Sequence, residues 1–156
     1  MPEHTPPFLA IPCALTITRT FDAPRTAVFA ALTDPRQVQR WLGPRGFVMT
    51  HYEADVRPGG SWRGCMRALD DGRELWHGGV YREIVPPERL AFTFAFELPD
   101  GGRGPETLIT ITLEDRGERT LMYFRQSGFD APARAEGARA AWNTEFDQLA
   151  RHIAGR

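Results

Sequence analysis

Lysine is missing from this chain. All 19 basic residues are arginine, which excludes a Schiff-base nucleophile and any other chemistry that needs a lysine amine. Cysteine is scarce: Cys13 and Cys65 lie far apart and form no CxxC. That excludes a cysteine metal cluster and a disulfide framework. A reduced pair is expected, with a single disulfide as the alternative. No apolar run approaches the roughly 20 residues that span a bilayer. The net charge is −1, so no long-range field draws the chain to nucleic acid or anionic lipid. The opening MPEHTPP carries neither the basic nor the apolar region of a signal peptide. These absences together predict a cytoplasmic protein with no nucleic-acid partner and no membrane insertion.

What is present is ordinary for a globular chain. Of 156 residues, 42% are hydrophobic and 25% charged, which suits one domain. Residues 1–13 are proline-rich and lack a period, so they read as a flexible N-terminal arm. Residues 14–156 read as a single domain.

Leu15 to Phe21 alternates as a strand, with Leu15, Ile17 and Phe21 on one face. Arg19 falls on that apolar face, either at an exposed strand end or as a buried cation that needs a carboxylate. Asp22 and Pro24 open a short helix. Asp34 and Pro35 open a second, and Gly43 to Gly46 ends it. A series of strands follows: Phe47 to Val56, Ser61 to Leu69, Glu74 to Val85, Leu90 to Leu98, Thr107 to Leu113 and Arg119 to Ser127. Turn residues separate them, Asp70-Asp71-Gly72 being the strongest hairpin signal. Leu90, Phe92, Phe94, Phe96 and Leu98 point one way. The last element is a helix from Pro132 to Ile153, with Trp142, Phe146, Leu149 and Ile153 in one apolar stripe. Short links require antiparallel pairing. The long helix is the element able to cover the dry face of the sheet, and a curved sheet under one helix tends to enclose a cavity.

The order of elements and several local motifs resemble the START-like (SRPBCC, Bet v 1-like) superfamily. Within it, the chain is most similar to the AHSA-type branch, named after the activator of the heat-shock-chaperone ATPase. The matching segments are Arg19-Thr20-Phe21-Asp22-Ala23-Pro24, Val28 to Pro35, Trp41, Asp55 to Trp62, Gly79 to Ile84, Pro86 to Leu90, Glu106-Thr107, Gln126 to Phe129 and Trp142. Together they run from about residue 15 to 153. The resemblance implies an α+β helix-grip fold, in which a curved antiparallel sheet wraps a long C-terminal helix and two short helices follow the first strand. It also implies a cavity. It fixes no single activity, because superfolds host many.

The candidate ligand-binding residues are Trp41, Trp62, Trp76, Tyr81, Phe94, Phe96, Phe124, Trp142 and Phe146, with Gln126 as a polar anchor. Each aromatic residue singly is also ordinary core. Arg19 is a candidate for an acidic head group, against the plainer reading of a surface salt bridge. His51 and Glu106 are the candidate acid or base residues. His4, His51, His77 and His152 lack metal-ligand spacing, so each reads as a surface or satisfied histidine and no metal is expected. The glycine pairs match no phosphate loop and suit turns and sheet bending.

These features favour binding of a small hydrophobic or amphipathic molecule, without a cofactor. The gate would be formed by Gly43 to Gly46 and Gly101 to Gly104. Two alternatives stand beside it: an enzyme of the polyketide cyclase or hydrolase kind using the same cavity, and a chaperone-linked interaction module. A homodimer is compatible with each.

Overall fold

The computed structural model describes residues 13–155. The expected flexible arm lies outside these residues, except for Cys13, which is the first residue of a strand. The chain runs β1 (Cys13–Phe21), α1 (Arg25–Thr33), α2 (Pro35–Trp41), β2 (Phe47–Ala54), β3 (Ser61–Ala68), β4 (Glu74–Val85), β5 (Arg89–Phe96), β6 (Thr107–Arg116), β7 (Arg119–Phe129) and α3 (Pro132–Gly155). The strands form one seven-stranded sheet in the order β1-β7-β6-β5-β4-β3-β2. Every neighbouring pair is antiparallel. This is the helix-grip architecture.

Local chemistry sets the helix starts. Pro24 is extended (ψ 159°) and stands just before α1, at the N-cap position. Asp34 caps α2, its carboxylate accepting the amide of Arg36 at 3.1 Å, and Pro35 occupies the first helical position, where a missing N–H costs nothing. The side chain of Thr33 turns back to the Phe29 carbonyl at 2.8 Å as α1 ends.

The sheet bends where its ladder is interrupted. Between β4 and β5 the register shifts after Tyr81. There Val80 donates its amide to the Thr93 hydroxyl at 2.9 Å, and the Trp62 indole donates to the Thr93 carbonyl at 3.1 Å. Side chains thus replace missing main-chain bonds, as buried backbone groups require. Gly79 permits the approach, because a Cβ there would run into the Thr93 carbonyl. A second irregularity falls between Met49 and His51. Such bulges curve and twist a sheet, and here they make its inner face concave.

The core lies between that face and the helices. Phe21, Leu15, Leu90, Ile109, Met122 and Phe124 of the sheet meet Val28 of α1 and Phe146 and Leu149 of α3, all at most 2% exposed. Outer positions Ala91, Thr93 and Ala95 of β5 are also buried, although alternation predicts a wet face; short side chains sit low among their longer neighbours. Inner positions of β5 go the other way toward its end: Leu90 is buried, Phe92 and Phe94 are half-buried, and Phe96 is 42% exposed. The strand runs outward past the part of the core that α3 fills. Arg19 is neither a free strand end nor fully buried. Its Nη1 meets Asp147 Oδ1 of α3 at 2.7 Å, so it ties sheet to helix. Cys13 and Cys65 are both free thiols. Among the described residues, no helix is long and apolar enough to cross a membrane.

Candidate functional site

A cavity of about 360 Å³ opens between the sheet and the first half of α3. Its size follows from residue choice. The helix presents Gly137, Ala138 and Ala141 to it, and these side chains are too small to reach the sheet. Phe94, Phe96, Leu75 and Met66 form the opposite wall, and Trp142 closes the inner end. Pro44 and Pro105 line it as well, the first inside and the second next to the glycine-containing loops expected to gate it.

Below Trp142 and Phe94 lies a second, much smaller void of about 40 Å³. Trp41, Trp62, Tyr81 and Phe146 surround it. Burial raises the phenol of Tyr81 above its ordinary pKa and that of Tyr52 well above it, so both stay neutral.

One polar wall of the cavity is internally satisfied. The Trp142 indole donates to Gln126 Oε1 at 2.8 Å. Gln126 Nε2 donates to the Thr107 hydroxyl at 2.9 Å, and Thr107 donates to the Phe94 carbonyl at 3.1 Å. This relay ties α3 to β7, β6 and β5 and fixes the Trp142 ring. At the rim, Arg134 and Asp130 pair at 2.9 Å, one helical turn apart.

Two other polar groups are not consumed in this way. Glu145 is 5% exposed. Its Oε2 accepts the Gly43 amide at 2.7 Å. Burial pushes its pKa up from 4.5 to about 8, with the Gly43 bond opposing, so the carboxyl is protonated at neutral pH. His77 is 1% exposed. Its ring stacks on Phe94 at 5.3 Å and meets the edges of Trp62 and Phe96. Burial lowers its pKa from 6.5 to about 4, with the Leu75 backbone and the charge of Glu97 acting the other way. Its Nδ1 has no hydrogen-bond partner. The cavity thus combines apolar walls with a neutral carboxylic acid and a neutral imidazole.

Of the residues singled out in the sequence, Phe94, Phe96, Gln126 and Trp142 line the main cavity. Trp41, Trp62, Tyr81 and Phe146 surround the small void instead. Phe124 is 1% exposed and packed against Trp142 and Phe146 at 4.9 and 5.2 Å, within the core. Trp76 faces the opposite side of the sheet. It is in register with Cys65, beside the ring of His51 at 5.4 Å, and the Arg63 guanidinium lies 4.0 Å over it. The chain alternates strictly here, so Trp76, the neighbour of His77, must point outward. His51 is on that same outer face, 3.7 Å from Glu53. Glu106 is exposed just before β6. Neither reaches the cavity. Arg19, paired with Asp147, does not line it either.

His77 and Glu145 were the residues missed. His77 reads as a surface or satisfied histidine, and it is neither. Its inward aim is signalled by Leu75, two positions earlier, and the structure pairs it with Phe96. Glu145 interrupts the apolar stripe three residues after Trp142, where a carboxylate has no business unless it is partnered.

A curved sheet gripping one long helix over such a space defines a START-like helix-grip domain, a fold of the ligand-binding type. Residues 22–154 match the family described as "Activator of Hsp90 ATPase homolog 1-like protein", and the chain belongs to that family. Among solved structures it is similar to Protein CV1439 from Chromobacterium violaceum, with 30% identity and a TM-score of 0.83, over 91% of this chain and 98% of that one. A protein from Arthrobacter aurescens is 25% identical with a TM-score of 0.82, over 92% of this chain and 87% of that one. The AHSA1 protein from Silicibacter pomeroyi, 22% identical with a TM-score of 0.83 over 90% and 97% of the two chains, shares the fold. No curated protein matches the chain.

Proposed function

We propose that this chain binds a small hydrophobic or amphipathic molecule between the sheet and α3. The observation that carries this is the cavity of about 360 Å³, lined mainly by apolar side chains and reached past Pro44 and Phe96. Small-molecule sites run from roughly 300 to 1,000 Å³ and combine apolar walls with a few placed polar groups. Burying about 200 Å² of apolar ligand surface is worth about 5 kcal/mol. The reading includes a cytoplasmic location, which the free thiols Cys13 and Cys65 support.

The test is native mass spectrometry of protein purified from its own host, followed by extraction of any bound molecule. A stoichiometric apolar or aromatic adduct is the expected result. An unliganded mass that does not shift with any member of a hydrophobic library would sink the proposal.

A second reading, an enzyme of the cyclase or hydrolase kind, is favoured by one observation: two buried titratable side chains share the cavity. In this reading His77 and Glu145 replace His51 and Glu106 as the acid and base. It predicts turnover of the extracted molecule or a close analogue, lost in both Glu145→Gln and His77→Phe.

A further inference from the structure

We infer that the molecule this cavity holds is uncharged, with a ring-sized apolar body and a hydroxyl or carbonyl group that meets His77 on the sheet wall and Glu145 on the helix wall. This rests on the ligand-binding reading above and narrows it to a chemical class.

The argument begins with which polar groups have capacity left. Trp142, Gln126 and Thr107 are bonded to one another in series, and Asp130 and Arg134 neutralise each other at the rim. The other two are different. His77 is 1% exposed and its ring lines the cavity; the Leu75 backbone acts on that ring, yet Nδ1 completes no hydrogen bond of good geometry. Glu145 is 5% exposed and lines the cavity, and its one bond among the described residues is from Gly43 to Oε2. Oε1 is unused there. Buried polar groups are normally paired, and an unpaired one calls for an explanation. A bound molecule that completes both groups supplies one.

The charge of that molecule follows from the same residues. A carboxylate or phosphate head would lie against the carboxyl of Glu145 with no unpaired arginine among the described lining residues to receive it, since Arg134 is engaged by Asp130. An ammonium head would require Glu145 to ionise in apolar surroundings, which burial opposes. A neutral group meets neither obstacle. A neutral imidazole offers one donor and one acceptor, and a protonated carboxyl offers a donor. A hydroxyl both donates and accepts, so it fits His77 in either tautomer. A carbonyl accepts from Glu145.

The body follows from the walls. Phe94, Phe96 and Trp142 stand across from Gly137, Ala138 and Ala141. Aromatic side chains on one side and a low helix surface on the other suit a flat ring in offset or edge contact.

The experiment titrates the intact protein with naphthalene, acetylnaphthalene, a hydroxy-acetylnaphthalene and naphthoate, following binding calorimetrically near pH 7. The hydroxy-ketone should bind at least about tenfold more tightly than naphthalene, and naphthoate the most weakly. In His77→Phe, and in Glu145→Leu, that preference, taken as the ratio of the two affinities within each variant, should fall to about threefold or less. Glu145→Gln, which still hydrogen-bonds, should keep most of it. If Glu145→Leu does not fold, His77→Phe decides. Naphthalene binding as tightly as the hydroxy-ketone, or naphthoate binding best, overturns the inference and leaves the cavity reading intact. If none of the probes binds, the cavity reading fails, and this inference with it.

Discussion

The carboxyl of Glu145 accepts the main-chain amide of Gly43 at 2.7 Å, across 102 positions of sequence. Three residues further along α3, Gln148 Nε2 donates to the carbonyls of Trp41 and Gly43 at 2.6 and 2.8 Å. The end of α2 and the loop beside the cavity therefore hang on one face of the long helix. Gly43 takes φ +115° to present both its N–H and its C=O to that face, a backbone state that an L side chain rarely adopts.

Glu145 makes stability depend on pH in a defined direction. Its carboxyl titrates near 4.5 in the unfolded chain and near about 8 in the folded one. Between those values the native state holds a proton that the unfolded state has lost, so stability falls as pH rises. The contribution is complete below 4.5 and gone above about 8. The titratable or charged groups that share its cavity are His77, Asp130 and Arg134. Urea unfolding across this range should show the wild type losing stability relative to Glu145→Gln. Parallel curves for the two proteins would refute it.

His77 acts with the opposite sign. Its pKa falls from 6.5 to about 4 on folding, so between those values the unfolded chain binds a proton that the native one refuses, and stability rises with pH. His77→Phe should flatten that limb and resist acid better than wild type. An unchanged acid midpoint in thermal melts counts against the assignment. The two groups oppose each other where their windows overlap.

Gly79 is a packing requirement. A Cβ there would collide with the main-chain carbonyl of Thr93, which cannot rotate away as a side chain could. Gly79→Ala should cost about 2 kcal/mol or more in denaturant unfolding. A loss within about 0.5 kcal/mol, as for an ordinary surface change, would mean that the bend yields easily.

Phe96 and Trp76 separate binding from folding. Phe96 lines the cavity and is 42% exposed, so Phe96→Ala should weaken ligand binding with a stability cost below about 1 kcal/mol. Trp76 lies on the outer face beside Arg63, and Trp76→Ala should leave ligand affinity unchanged. Equal loss of affinity in both variants would contradict the assignment of faces.

Most of the fold was legible because period and turn chemistry act locally. The alternation from Leu90 to Phe96, the Asp34-Pro35 start and the Trp142 to Ile153 stripe each declare their element within a few residues. Facing is harder to read. Trp76 is as aromatic as Trp62, and only the register, with Trp62 opposite Gly79 and Cys65 opposite Trp76, separates inside from outside. The bulge after Met49 reverses which residues of β2 face in, and so it turned His51 outward. For Glu145 and His77 the spacing shows where the side chain aims but not its character. Their character arises from burial by residues distant in sequence, and composition holds no trace of that.

Gly137 sits inside α3 with open space where a Cβ would be. Alanine there would favour the helix by about 1 kcal/mol. The chain forgoes that gain at a position bordering the cavity. Selection for heat resistance alone would fill such a site, so open space beside the helix and rigidity of the helix pull against each other at this one residue.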